Sequence, residues 1–151
     1  MPNKFEKLEL IVQKCTEIGV DHLLFFPAKH SLLKEISSSK MERLEKISLE
    51  ASEQSWSRKK IDMTFIENVL SMCEWKKIFV AHQHWTQIQN VEFKIQNSNN
   101  VILLVGPEGW RHSDEEKIFD EMNVEKISFG ETVLRTETAA IIWWRMMKNF
   151  L

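Results

Sequence analysis

The stretch "VILLVGPEGWR" at residues 101–111 decides how the rest of this sequence is interpreted. Five apolar residues, Val101 to Val105, run directly into Gly106. A short apolar run that stops at glycine and proline is typical of a buried β-strand followed by a tight turn. Two of the chain's 4 glycines fall in this turn. Because ligands of open α/β sheets bind beyond the carboxyl ends of strands, the turn is a candidate binding site.

Length and composition predict one folded domain. The chain has 151 residues, and 43% of them are hydrophobic, which is enough for a core. No apolar run approaches the roughly 20 residues of a membrane helix, and no apolar signal region opens the chain. Cys15 and Cys73 are far apart, which favours a reduced, cytoplasmic protein over a disulfide scaffold or a zinc site. The formal net charge of −2 gives no overall attraction to nucleic acid, so any RNA contact needs a local patch.

The spacing of apolar residues predicts helices and strands in alternation. One helix is expected from Phe5 to Ile18, ended by Gly19, and a second from a cap at Ser37–Ser39 to about Trp56. Further helices are expected at 68–75, at 113–122 and from Thr136 or Glu137 to Phe150. Strands are expected at 20–27, 61–66, 77–82, 101–105 and 125–129, and a variable polar loop or a weak strand at 86–100.

This alternation predicts an α/β fold with a parallel sheet covered by helices on both faces. Ligand chemistry should then gather at the strand ends near His82, Gly106 and Gly130. The turn "GPEG" (106–109) suits that role, because glycine lets a backbone approach a ligand without a Cβ clash. It suits an ordinary tight turn equally well.

The segment "FGETVLRTETAA" (129–140) places Arg135 and two threonines just before an apolar helix. Thr136 and Glu137 resemble a helix cap with a charge that favours the helix dipole. Arg135 is either a functional cation or the partner of a nearby carboxylate. The large side chains of Trp143 and Trp144 predict one tryptophan in the core and one at a partner interface.

The segment "EASEQSWSRKK" (50–60) ends in the clearest basic cluster of the chain, Arg58, Lys59 and Lys60. These cations could contact RNA phosphates, which positions RNA without discriminating its sequence. Alternatively, they form a solvated helix end with cations near its negative pole, and the residues alone favour this second interpretation. His82 and His84 lack carboxylate or cysteine partners, so no metal site is predicted.

Taken together, four ordered segments resemble one family. They are "IVQKCTEIGV" (11–20), "EASEQSWSR" (50–58), "LLVGPEG" (103–109) and "FGETVLRTETAA" (129–140). The resemblance is to the SPOUT-superfamily methyltransferases that modify N3 of a uridine in bacterial 16S ribosomal RNA, and it covers nearly the whole chain. It implies one S-adenosylmethionine-dependent RNA methyltransferase domain over residues 1–151, with a C-terminal trefoil knot. It also implies a homodimer, with 16S ribosomal RNA or the small ribosomal subunit as partner.

The resemblance further implies which residues bind the cofactor. One wall of the site would be formed by the turn after the strand at 101–105, and the other by the segment before the last helix. Leu104 and the strand end at Ala81 and His82 would lie nearby. The implied residues are Ala81, His82, Leu104, Gly106, Pro107, Glu108, Gly109, Ser128, Phe129, Gly130, Val133, Leu134 and Thr136.

Catalytic roles follow from the chemistry that the resemblance implies. A sulfonium methyl donor needs little activation, so catalysis consists chiefly of alignment and removal of the N3 proton. Arg135 is expected to stabilise negative charge on the uridine, and Glu137 or Glu53 to accept the proton. A purely structural pairing of arginine and glutamate accounts for the same residues equally well.

Three features depart from the family pattern. Trp110 stands where the family usually has a second glycine after "GPEG", and His30 stands where it has a basic residue before a serine. The family also has an N-terminal RNA-binding barrel of the PUA type and a first strand before the first helix, and both are expected to be missing from residues 1–151. Trp110 and this N-terminal difference favour the rival hypothesis, a non-catalytic RNA-binding or dimerisation module that retains the SPOUT fold.

Overall fold

The computed structural model of the chain describes residues 2, 4–27, 35–57, 60–67, 77–81, 101–106, 117, 124–129 and 131–147. Its helices are α1 (Phe5–Glu17), α2 (Ser38–Gln54) and α3 (Thr136–Met147), and its strands are β1 (His22–Phe25), β2 (Asp62–Phe65), β3 (Lys77–Ala81), β4 (Val101–Leu104) and β5 (Glu125–Ile127). The predicted elements in these ranges are confirmed to within a few residues. The predictions for 68–75, 86–100 and 113–122 lie essentially outside the described residues. No helix in the described part of the chain is long and apolar enough to cross a membrane.

Helix α1 ends where the sequence predicts, at a glycine. Gly19 has a φ of 79°, and its N–H donates to the carbonyl of Thr16 at 3.1 Å. The N–H of Val20 donates to the carbonyl of Cys15 at 2.9 Å. These two hydrogen bonds form a Schellman motif, which requires a left-handed residue that glycine supplies without a Cβ clash.

Helix α2 ends with the same motif, but a tryptophan occupies the left-handed position. Trp56 has a φ of 56°, and its N–H donates to the carbonyl of Glu53 at 3.4 Å. The N–H of Ser57 donates to the carbonyl of Ser52 at 3.0 Å. The helix therefore stops at Gln54, slightly before the predicted end.

Helix α2 differs from a simple amphipathic, side-chain-capped helix at two residues. Ser37 occupies the N-cap position, but its side chain makes no capping hydrogen bond and its hydroxyl lies 3.2 Å from that of Ser39. Leu49 is exposed, whereas Leu44 and Ala51 are buried. Leu49 lies five positions after Leu44, which is off the three- and four-residue spacing that keeps side chains on one helix face.

The strands pair in parallel, as predicted, but in two groups. Strand β1 pairs with β2, and β3 lies between β4 and β5. Alternate side chains point to opposite faces of the strands. One face packs on α1, α2 and α3 through residues such as Phe25, Phe79 and Ile127. On the other face, Leu24 and Phe26 pack against the cluster of Ile78, Val80, Ile102 and Leu104, which joins the two groups through side chains.

A cavity of about 280 Å³ separates the two groups of strands. Every residue from 22 to 26 and from 101 to 105 lines it. Because neighbouring side chains of a strand point to opposite faces, the cavity runs along the edges of β1 and β4 and not over one face. Helices α1 and α3 cover one side of it through Ile11, Ala140 and Trp144, among others. We call this cavity the edge slot. The single predicted sheet is therefore divided at this slot among the strands that the structure describes.

Candidate active site at the carboxyl ends of the strands

Three neighbouring strands end at one edge and bring predicted cofactor residues together. The register pairs Val80 with Leu104 and Ala81 with Ile127. Ala81, Leu104 and Ser128 therefore stand at or just beyond adjacent strand ends. Leu104 and Ser128 are buried, which places their backbones inside the molecule beside this edge. The carboxyl ends of β3, β4 and β5 thus lie side by side, and ligand binding there stays a prediction.

A hydrogen bond joins the end of β4 to the beginning of α3. The hydroxyl of Thr136 donates to the carbonyl oxygen of Gly106 at 2.8 Å. Thr136 is only 6% exposed and Gly106 is half-buried, so this bond is partly shielded from water. The threonine was predicted as a helix cap, but its hydroxyl points to a carbonyl 30 residues away in the sequence. It therefore fixes the distance between the two walls that the sequence assigned to one site.

Glu137 is buried in the first turn of α3. Only 8% of the residue is exposed, and Lys7 Nζ lies 3.4 Å from its Oε2 atom. This oxygen accepts no hydrogen bond from the part of the chain that the structure describes. The contact with Lys7 is thus a charge pairing rather than a well-formed hydrogen bond. The Glu137 carboxylate lies at the positive end of the α3 dipole and next to the Lys7 cation, and both interactions are favourable for a negative charge.

The residues just before α3 differ in exposure. Val133 and Arg135 are exposed, and Leu134 is half-buried. The carbonyl of Arg135 accepts the N–H of Ala139 at 2.9 Å, which fixes the backbone of Arg135 as the helix begins. The exposed side chain of Arg135 thus starts from an ordered backbone position, two residues before the buried Glu137.

An aromatic cluster includes Phe129, which belongs to the expected second wall of the cofactor site. The ring of Trp143 lies 5.2 Å from that of Phe79 and 6.0 Å from that of Phe129, centroid to centroid. Such tilted and edge-on contacts are favourable for aromatic rings. The prediction of a core tryptophan is confirmed by Trp143, which is 3% exposed. The predicted interface role of Trp144 stays a prediction; its buried Nε1 has no hydrogen-bond partner among the described residues.

The structure does not bring every candidate together. Glu53 lies in the last turn of α2, and a short connection leads from there to the start of β2. It therefore lies at the amino edge of the strands, opposite Glu137, within one copy of the chain. Lys60 is exposed on the same connection. The remaining candidates lie outside the described residues: Arg58, Lys59, His82, Pro107, Glu108, Gly109, Trp110 and Gly130.

Cys15 is a buried thiol on α1 that is a poor nucleophile. Burial raises its pKa to about 12, because the charged thiolate is poorly solvated in the core. The nucleophilic form is therefore essentially absent at neutral pH. The residue acts as a small apolar side chain on the buried face of α1.

Sequence reasoning missed Lys7 as a neighbour of the site. The residue lies on a helix whose apolar spacing indicated only a core face, and its contact with Glu137 spans almost the whole chain. A lysine in a helix carries no local pattern that distinguishes a solvated side chain from one paired with a distant carboxylate. It also missed the left-handed backbone of Trp56, where glycine would have been the expected residue.

Comparison with known proteins decides the family. Residues 1–148 match the RNA methyltransferase domain family. The chain belongs to this family. The resemblance inferred from four segments is thereby confirmed.

Named relatives agree with this assignment, and a solved structure shares the fold. The chain is 29% identical over 147 residues to the ribosomal RNA small subunit methyltransferase E of Rickettsia conorii, and 28% identical over 151 residues to that of Bacillus subtilis. These alignments cover 91% of this chain, and 57% and 59% of the two relatives. The chain thus spans somewhat more than half the length of these relatives. A methyltransferase E of Neisseria gonorrhoeae, solved with S-adenosylmethionine bound, shares the fold with a TM-score of 0.84 at 19% identity, over 95% of this chain and 61% of that one.

Proposed function

We propose that this domain methylates N3 of a uridine in 16S ribosomal RNA with S-adenosylmethionine as methyl donor. The observation that carries the proposal is the bond from Thr136 to Gly106, which ties the two expected walls of the cofactor site together beside a buried carboxylate. Membership of an RNA methyltransferase family supports the reaction class. The names of the relatives, which are small-subunit ribosomal RNA methyltransferases, support the substrate.

The described residues suit a nucleoside cofactor at this edge. Gly106 has no Cβ, so its backbone leaves room for a ligand beside the end of β4. Ser128 and Phe129 follow β5 on the neighbouring side, with Ala81 and Leu104 at the adjacent strand ends. When bound, S-adenosylmethionine supplies a methyl group on a positively charged sulfur. The implied residues outside the described ranges, such as Pro107, Gly109 and Gly130, complete the proposed walls.

Glu137 is the proposed proton acceptor. The N3–H of uridine must lose its proton as the nitrogen gains a methyl group, and the Oε2 atom of Glu137 has lone pairs that no described hydrogen bond occupies. Arg135 is the proposed cation that offsets negative charge on the uridine ring. The Lys7 cation lies 3.4 Å from the same Oε2 atom of Glu137. Glu53 is the weaker candidate, because it lies at the opposite edge and could act only on a site that two copies share.

Methyl transfer to isolated small ribosomal subunits, with radiolabelled cofactor, tests the function. We expect Glu137→Gln to lower the rate of transfer by about 100-fold or more, as loss of a general base does, while cofactor affinity by calorimetry stays within a few-fold. Glu53→Gln is the matched control and should retain transfer. A folded chain that binds no cofactor refutes the proposal. Cofactor binding without transfer, even when an upstream segment of the protein is included, favours the non-catalytic RNA-binding module instead.

The other expectations from the family remain proposals. A trefoil knot at the C-terminal end is compatible with the contact between Gly106 and the start of α3, 30 positions apart. We also propose a homodimer, RNA-phosphate contacts by Arg58, Lys59 and Lys60, and a cytoplasmic location. Analytical ultracentrifugation tests the dimer, and the salt dependence of RNA affinity tests the basic residues, because each lost phosphate contact lowers the salt slope by about 1.

The edge slot supports the expected first strand. The carbonyl of Asp21 accepts a hydrogen bond from Asp62 in β2, and that of Phe25 accepts one from Ile66 just after β2. The alternate residue Leu24 therefore directs its backbone groups away from β2, toward the slot. Pro2 lines the same cavity, next to the beginning of α1. We propose that a strand leading into Pro2 lies here, parallel to β1 and β4. Slower hydrogen exchange at the Leu24 amide in a protein extended ahead of residue 1 is the expected result, and unchanged exchange contradicts it.

A further inference from the structure

We propose that Trp56 is a stacking platform for an unpaired base of a single-stranded RNA. The side chain is 92% exposed, more than any other large hydrophobic residue in the described part of the chain. It stands at the end of α2, at the amino edge of the strands and away from the proposed methylation site. The inference rests on the proposed function in one respect, namely that the substrate is RNA.

Folding gives no reason for a tryptophan at this position. A left-handed backbone costs a residue with a Cβ about 1–2 kcal/mol relative to glycine, and the φ of Trp56 is 56°. An indole that stays in water contributes almost no burial to offset that cost. Backbone strain that burial does not offset points to a role in binding.

The helix end orders the backbone that carries this ring. The N–H groups of Trp56 and Ser57 donate to the carbonyls of Glu53 and Ser52 at 3.4 and 3.0 Å. The hydroxyl of Ser55 donates to the carbonyl of Ala51 at 2.7 Å. The backbone that carries the indole is therefore ordered before any ligand arrives, which lowers the entropy cost of binding.

The chemistry around the ring favours RNA over a protein. Arg58, Lys59 and Lys60 follow Trp56 in the sequence, and Lys60 is exposed. Aromatic rings beside basic residues are the usual surface for single-stranded nucleic acid, because bases stack on the ring while cations contact phosphates. Duplex bases are already stacked on each other, so an indole platform selects unpaired nucleotides. The ring would thus bind a stretch of RNA that flanks the target nucleotide.

The sharpest test is Trp56→Gly, because we expect it to raise the stability of the protein and to lower its affinity for RNA. Glycine relieves the left-handed backbone, so the melting temperature should rise by roughly 2–8 °C. The same change removes the stacking ring, so affinity for a fluorescein-labelled single-stranded RNA decamer should fall by about 5- to 100-fold at fixed salt. Trp56→Phe keeps a ring and should lose less affinity. Leu49→Ala, at another exposed apolar residue of α2, is the control and should bind RNA as the unaltered chain does.

Several outcomes overturn the inference. Unchanged affinity of the glycine variant, or no binding of the decamer by the folded unaltered chain, excludes the platform. An equal loss for a ten-base-pair duplex means that the residue does not select unpaired bases. A changed sedimentation coefficient assigns Trp56 to a contact between copies. RNA binding is measured without cofactor, so it is independent of methyl transfer. If the unaltered chain transfers methyl groups and Trp56→Gly binds the RNA normally, the stacking inference is contradicted and the proposed methyltransferase function is not.

Discussion

The hydrogen bond between Thr136 and Gly106 gives the most direct test of the site. Replacing Thr136 by valine keeps the size and the branched shape of the side chain but removes the hydroxyl donor. The carbonyl oxygen of Gly106 then loses the 2.8 Å partner that connects β4 to α3. Leaving a buried acceptor without its partner costs about 1–3 kcal/mol. Gly106 is half-buried and water can reach it in part, so we expect the lower part of this range, about 1–2 kcal/mol.

This cost has two measurable consequences. For a domain of this size, each kcal/mol lowers the melting temperature by about 2–4 °C, so Thr136→Val should melt about 2–8 °C earlier by circular dichroism. A looser connection between the two walls also reduces the fraction of molecules competent to bind cofactor. The free energy of the bond limits that loss to about thirtyfold in affinity for S-adenosylmethionine, measured by isothermal titration calorimetry.

Two variants make the result specific. Thr136→Ser keeps a hydroxyl and should recover most of the stability and affinity. Thr138→Val makes the same chemical change at the half-buried Thr138 in the same helix, and it should leave both quantities nearly unaltered. If Thr136→Val and Thr138→Val prove indistinguishable in melting temperature and in cofactor affinity, the bond does not hold the two walls together and the reasoning fails.

Three further predictions concern the rest of the chain. Gly19→Ala should destabilise the protein by about 1–2 kcal/mol in urea unfolding, because alanine must adopt the left-handed φ of 79°. Trp143→Ala should cost about 3–5 kcal/mol and expose the cluster with Phe79, whereas Trp143→Phe should cost far less; equal losses would contradict the packing argument. Burial raises the pKa of Cys15 to about 12, so its contribution to stability is complete below pH 9 and is lost as pH rises toward 12. The free energy of unfolding of the unaltered chain should therefore fall between pH 9 and 11 relative to that of Cys15→Ala. If the two proteins show parallel curves of stability against pH, the thiol ionises equally in the folded and unfolded states and the prediction is wrong.

Local patterns in the sequence predict the elements of this fold well. The spacing from Leu8 to Cys15 defines one face of a helix, and Gly19 ends it for a reason that is visible in the sequence. The apolar run at Val101 and the glycine after it define a strand end. Each of these inferences depends only on residues that are close along the chain.

Long-range contacts explain what the sequence did not predict. The hydroxyl of Thr136 bonds to Gly106 instead of capping its own helix, and Lys7 pairs with Glu137 from the opposite end of the chain. Nothing in the local sequence distinguishes a capping threonine from one that reaches another segment. The candidate site was therefore predicted as a set of residues, while its internal geometry required the three-dimensional structure.

The edge slot also has a consequence for cooperativity. Among the described strands, no backbone ladder connects the β1–β2 pair to the group of β3, β4 and β5. The two groups are coupled through side chains and through the contact of α1 with α3. Local opening follows the weakest connections in a structure. Amide exchange under native conditions should consequently separate two unfolding units that meet at the slot, so the two halves of this chain need not lose their structure at the same moment.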